Sequence, residues 1–159
     1  MIIPLLDGRA IPRPYRQGKA ATKGRAGMTR RYGEAIRAGI RYRRRPGVYA
    51  ILPRDGQILL TFQSDPLPEF QLPGGGIDPG ENPVGALHRE VFEETGWHIG
   101  PPRRLGLYRR FTWMPEYEFW AEKLCQVWIA RPVMRIGEPT EPGHTALWAE
   151  PDTALSLIE

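Results

Sequence analysis

The apolar positions along this chain fall into short runs broken by turn residues. Val48 to Leu52 is one such run and Gln57 to Gln63 another, with Pro53-Arg54-Asp55-Gly56 between them. Asp-Gly between two strand-like runs predicts a hairpin turn. A proline-broken loop, Ser64 to Glu69, leads to a short strand at Phe70-Gln71-Leu72. Further on, Leu105, Leu107, Phe111 and Trp113 largely alternate with polar residues over Arg103 to Trp113. Leu124 to Val133 is a more continuous apolar run, as buried strands show. Met114 to Trp120 between them is aromatic and acidic and reads as a loop. Thr145 to Ala149 is a last strand, and Pro151 to Leu157 a closing helix with Glu150 or Asp152 near its start.

One stretch has helical periodicity instead. Asn82 is suited to accept a backbone N–H at a helix start, Pro83 to occupy the first helical position, and Gly96 to end the helix in a left-handed conformation. Val84 to Thr95 then makes about three turns. Val84, Leu87 and Val91 form an apolar stripe. Glu90, Glu93 and Glu94, spaced i, i+3, i+4, share an adjacent arc of about 100°. The order strand, strand, helix, strands, helix predicts an α/β fold with a mixed β-sheet between helices.

Three carboxylates on one helix face repel one another, and a divalent cation removes that cost. Hard oxygen ligands without His or Cys suit Mg²⁺ or Mn²⁺. A solvated acidic helix is the plain alternative and the ordinary meaning of a charge run. The loop ahead of the helix, Leu72-Pro73-Gly74-Gly75-Gly76-Ile77-Asp78-Pro79-Gly80, tips the balance, because glycines let backbone approach a ligand closely. Glu81 can reach back to the same cation or pair with Arg89. Arg89, four residues before Glu93, is placed to orient that carboxylate.

The whole stretch, Gly75-x5-Glu81-x7-Arg89-Glu90-Val91-x-Glu93-Glu94-x-Gly96-Trp97, resembles the Nudix box and matches it at every charged and glycine position. Trp97 departs from the family's usual Ile, Leu or Val, which bears on packing rather than chemistry. The resemblance implies a Nudix-type α/β/α sandwich. It also implies Mg²⁺-dependent hydrolysis of the diphosphate linkage in a nucleoside diphosphate linked to another moiety: a nucleotide sugar, ADP-ribose, a dinucleoside polyphosphate or an NTP. The alternatives are an RNA 5′-end pyrophosphohydrolase and a non-catalytic nucleotide-binding protein of the same fold. Carried onto this chain, the metal ligands are Glu90, Glu93, Glu94 and a backbone carbonyl at Gly74. Glu93 and Glu94 belong to the catalytic set, together with Arg89 acting through Glu93. Members of the family often take one more carboxylate from a late loop, so the general base lies among Glu93, Glu138, Glu141 and His144. Solvated loop acids are the plain reading of Glu138 and Glu141, and a strand-capping residue that of His144. Surface roles are expected for His88 and His98. Aromatics of the 114–120 loop are placed to stack on a base. Pro115 and Tyr117 match no substrate marker of the family cleanly.

Composition adds two points. The chain of 159 residues, 41% hydrophobic and 25% charged, suits a globular domain. Its lone Cys125 excludes an internal disulfide and fits a reducing, cytoplasmic setting. No apolar run has the length of a membrane span. The charge is lopsided: residues 1–45 hold 13 Lys or Arg against Asp7 and Glu34, a charge of +11, so the rest of the chain carries −7 of the total +4. A basic arm, 1–45, and a hydrolase domain, 46–159, are the expected units. Met1 to Leu6 is too short for a secretory leader, and the arm lacks the serines of a transit peptide. The opposed charges favour packing on the chain's own acidic part or a partner subunit over nucleic acid, and a homodimer is expected. Glu34 to Gly39 is read as a helical turn. Arg41, Arg43 and Arg45 share one face of an extended strand, within reach of a substrate's phosphates.

Overall fold

The computed structural model describes residues 29–158 apart from Pro66. In chain order the strands are β1 (Arg30–Gly33), β2 (Arg43–Ile51), β3 (Pro53–Arg54), β4 (Gln57–Gln63), β5 (Glu69–Gln71), β6 (Trp97–Ile99), β7 (Arg103–Met114), β8 (Phe119–Ile129), β9 (Pro132–Arg135) and β10 (His144–Ala149). The helices are α1 (Pro83–Thr95) and α2 (Pro151–Ile158). This is the α/β architecture with a mixed sheet that the sequence predicts. The main sheet has the order β1-β7-β8-β2, with β1/β7 and β8/β2 parallel and β7/β8 antiparallel. In the second sheet β4 pairs antiparallel with β10, β3 and β5. β6 and β9 form a two-stranded ladder.

The remaining edge of β2 is taken by the glycine loop. Val48 N–H donates to Gly75 O (3.0 Å), Ala50 N–H to Pro73 O (2.8 Å) and Ile77 N–H to Pro46 O (3.0 Å). The loop is thus held as a surrogate strand, and α1 crosses the sheet side that Val48 and Ala50 face. Those two residues pack with Leu52, Leu59, Ala86, Leu87, Val91, Ile99 and Ala130 in the principal core. Trp97 packs on this core and meets Trp148 edge-on at 5.7 Å between centroids. The departure from the Nudix pattern is therefore absorbed in packing.

Several elements differ from expectation. The chain changes sheet at Leu52, so β2 and β4 are not a hairpin; Asp55 and Gly56, at φ 51° and 80°, close only the short β3–β4 pair. Val84 is 38% exposed, and Ala86 joins Leu87 and Val91 on the buried side. The buried arc is rotated because it includes Glu90 and Glu94. Residues 34–39 form a bend and a turn rather than a helix, after a wholly exposed strand β1. Phe119 and Trp120 belong to β8, not to a loop, and the expected strand through Val133 breaks after Ile129. Its continuation, β9, leaves to pair with β6. No described helix is long and apolar enough to cross a membrane. The expectations that fall on residues 1–28, the arm's packing foremost, lie outside the described residues.

Candidate metal centre

Local chemistry fixes α1 where the carboxylates are needed. Asn82 Oδ1 accepts from Gly85 N–H at 2.8 Å, Pro83 fills the first turn, and Gly96 at φ 72° donates to Phe92 O. At 100° per residue, Glu90 and Glu94 fall within the half-cylinder that the helix buries. They are 7% and 3% exposed. This face meets the glycine loop. Gly74 N–H donates to Glu94 Oε2 at 2.9 Å. A Cβ on Gly75 would lie 2.8 Å from Glu90 Cδ, and one on Gly74, at φ 142°, would lie 2.7 Å from Tyr49 Cα. Gly74 is required by the backbone, and Gly75 leaves the Glu90 carboxylate where it is, since a Cβ there would push that side chain aside.

Arg89 spans the cluster. Its Nε and Nη2 donate to the two oxygens of Glu81 (3.1 and 2.9 Å), Nη1 donates to Glu90 (2.7 Å) and Glu93 (3.1 Å), and Nη2 also reaches Gly76 O (3.0 Å). Glu81 therefore serves as Arg89's bidentate partner, and the pair ties α1 to the glycine loop. The Arg89 hydrogen bonds hold Glu81 below the ordinary carboxylate range, helped by Asp78 N–H. Glu81 in turn raises Arg89 further.

The late loop completes the group. Glu93 O accepts from both Thr140 N–H (2.7 Å) and Glu141 N–H (3.0 Å). This brings Glu141 to Glu90 and Glu93, and Glu141 and His144 to Glu94, with the ligand atoms of each trio within 4.8 Å of one another. Glu138 is left out: it pairs with Arg135 at 2.7 Å and is 83% exposed. His98 stacks on Phe92 away from the cluster. Gly74 contributes its N–H to a carboxylate. Burial pushes Glu94 well above the usual range, opposed by the Gly74 N–H and reinforced by the charges of Glu90, Glu141 and Glu93. Burial likewise raises Glu90, against the pull of Arg89. Buried carboxylates that repel one another, with Arg89 as neighbouring cation and no soft ligand among the four acids, are a donor set that fits Mg²⁺ or Mn²⁺.

A second charged feature adjoins the first. Cross-strand register places Arg45, Lys123 and Arg110 in one row across β2, β8 and β7. Like charges directly opposed destabilise a sheet. Alternation puts Arg43, Tyr49, Tyr108 and Phe119 on the same side as this row. Arg43 stacks over Phe119, Arg45 over Tyr117, and Lys123 over Tyr49. No strand position on this side is acidic. On the opposite side, Arg44 and Arg109 both pair with Glu122, at 3.6 and 2.6 Å. Arg45 connects the row to the glycine loop, its Nη2 lying 3.7 Å from where a Cβ on Gly76 would stand.

Fold and site together define an α/β protein with an acidic cluster of the kind that holds a divalent cation. A profile of the NUDIX domain matches residues 41–158, and the chain belongs to the NUDIX family. It is 36% identical over 64 residues to the Bacillus subtilis protein named "Putative 8-oxo-dGTP diphosphatase", covering 40% of this chain and 43% of that one. It is 37% identical over 79 residues to an RNA pyrophosphohydrolase of Cereibacter sphaeroides, covering 49% and 47%. The chain thus spans about half the length of the curated relatives it matches. Among solved structures, a MutT NUDIX hydrolase from Burkholderia pseudomallei superposes with a TM-score of 0.58 at 25% identity, covering 74% of this chain and 99% of that one.

Proposed function

We propose that this protein hydrolyses the diphosphate linkage of a nucleotide derivative with the help of Mg²⁺ or Mn²⁺. The observation that carries this reading is the convergence of Glu90, Glu93, Glu94 and Glu141 on one another, with Glu94 tied to the glycine loop through Gly74 N–H. A divalent cation held there would neutralise phosphate charge and lower the pKa of a bound water. The chain's own residues do the rest. Glu90, Glu93 and Glu94 hold the cation, and Arg89 is a positioning residue that fixes Glu90 and Glu93. Glu141, which joins both trios of ligand atoms, is the late-loop carboxylate that would hold the cation beside them. Added EDTA should abolish release of product from nucleotide sugars, ADP-ribose, dinucleoside polyphosphates and NTPs alike. Full turnover in excess chelator would sink this reading.

The basic side of the main sheet favours a second, narrower reading. A row of opposed cations interleaved with aromatics suits an extended polyanion whose bases can stack, as at the 5′-polyphosphate end of single-stranded RNA. RNA affinity that falls steeply with salt, with faster turnover of 5′-triphosphorylated oligoribonucleotides than of NTPs, supports it. Salt-insensitive hydrolysis of free nucleotides alone counts against it. We also propose a cytoplasmic homodimer, supported by the single buried thiol of Cys125 and the basic arm, and tested by the solution mass with and without residues 1–28.

A further inference from the structure

His144 opens β10 beside the carboxylates, and its side chain is only 6% exposed. Its Nδ1 lies 3.3 Å from Pro142 O, a hydrogen bond only if Nδ1 carries the proton. In the neutral ring that tautomer leaves a lone pair on Nε2, the atom a metal would take. Nε2 is buried, has no hydrogen-bond partner, and points at Glu94 Oε1 from 3.6 Å, beyond hydrogen-bond reach. A ring nitrogen donating its N–H to a backbone carbonyl, with the other nitrogen aimed among acids, is the arrangement of a metal-ligating histidine. Buried polar atoms ordinarily have partners, and the ligand atoms set beside Nε2 here are carboxylate oxygens of Glu94 and Glu141.

We propose that His144 Nε2 is a nitrogen ligand to a divalent cation shared with Glu94 and Glu141, beside the all-oxygen position of Glu90, Glu93 and Glu141. The inference rests on the acidic cluster being a cation site. Imidazole favours Mn²⁺, Co²⁺ and Zn²⁺ over Mg²⁺, so this position discriminates among ions that the carboxylates alone treat similarly.

The test uses the full chain, stripped with chelator and titrated to saturation with Mn²⁺. Electron spin-echo modulation of the bound Mn²⁺ should show ¹⁴N coupling in the unaltered protein. His144→Gln should remove that coupling and His98→Gln should keep it. By calorimetry, His144→Gln should lower the ratio of Mn²⁺ to Mg²⁺ affinity by about tenfold or more. Bound Mn²⁺ without ¹⁴N coupling in the unaltered protein overturns the nitrogen ligand and leaves the carboxylate site standing. Coupling that survives His144→Gln overturns it equally. No Mn²⁺ binding at all sinks both the ligand and the cation site beneath it. The unaltered protein decides the matter even where His144→Gln does not fold.

Discussion

Glu94 and Gly75 show how little slack the centre has. Glu94→Gln keeps shape and removes charge, so kcat should fall roughly 10²-fold or more while circular dichroism stays native. Glu90→Gln should behave alike. Gly75→Ala adds a single methyl against the Glu90 carboxylate. It should cut kcat with little change in melting temperature, and an unimpaired Gly75→Ala enzyme would show that Glu90 is free to move. Arg89→Lys retains a charge but loses the fork to Glu81 and the bridge between Glu90 and Glu93. Urea unfolding should register a loss of about 1–3 kcal/mol, together with a lower kcat. The glycine and carboxylate positions were legible in sequence because their reasons are local: spacing along one helix and close approach of one loop. Glu141 and His144 were visible only as candidates, because Glu141 is placed by a carbonyl some fifty residues earlier and His144 by its pairing with Gln63 in β4.

The helix α1 is an element whose buried face is partly ionisable. Asn82→Ala should cost it about 1 kcal/mol, read from thermal melts, because Gly85 N–H loses its acceptor. The pH dependence follows from the direction of three shifts. Glu90 and Glu94 have folded pKa values above the ordinary 4.5. Their contribution is complete below 4.5 and is lost as pH rises through the folded values. Glu81 is shifted the other way, so its contribution is present above 4.5 and is lost as pH falls through its folded value. The chelated protein should therefore lose melting temperature as pH rises from about 4.5 through the folded values of Glu90 and Glu94. Added Mg²⁺ should restore more of it at the upper end than the lower. A cation-free melting temperature that climbs over that range would mean burial is not what strains these acids. The caps of α1 follow from residue chemistry alone and could be read directly. β1 could not, because a four-residue strand that is exposed throughout has no apolar alternation to betray it. β6 and β9 are short and find each other across the chain, again without a local signal.

For the whole molecule, charge is sorted by side. One side of the main sheet carries the Arg45–Lys123–Arg110 row, and the other neutralises its arginines on Glu122. Arg110→Ser should weaken binding of a single-stranded oligoribonucleotide and reduce the slope of log affinity against log salt by about one. An unchanged slope would place the nucleic acid elsewhere or nowhere. The fold class was readable because runs of strands with a helix after each run, one mid-chain and one at the end, can be read in order along the chain. The change of sheet at Leu52 was not, since an Asp-Gly turn looks the same whether it joins two long strands or a pair of two-residue rungs. The double attachment of Thr140 and Glu141 to Glu93 O has a consequence for anyone re-engineering this protein. The late loop takes its coordinates from the last turn of α1, as a hinged door takes them from its frame. Libraries that vary residues 138–140 and 142 at constant length, with Glu141 and Gly143 kept, should yield active clones. Libraries that add or delete one residue there should yield folded clones without activity, because every downstream donor arrives out of step.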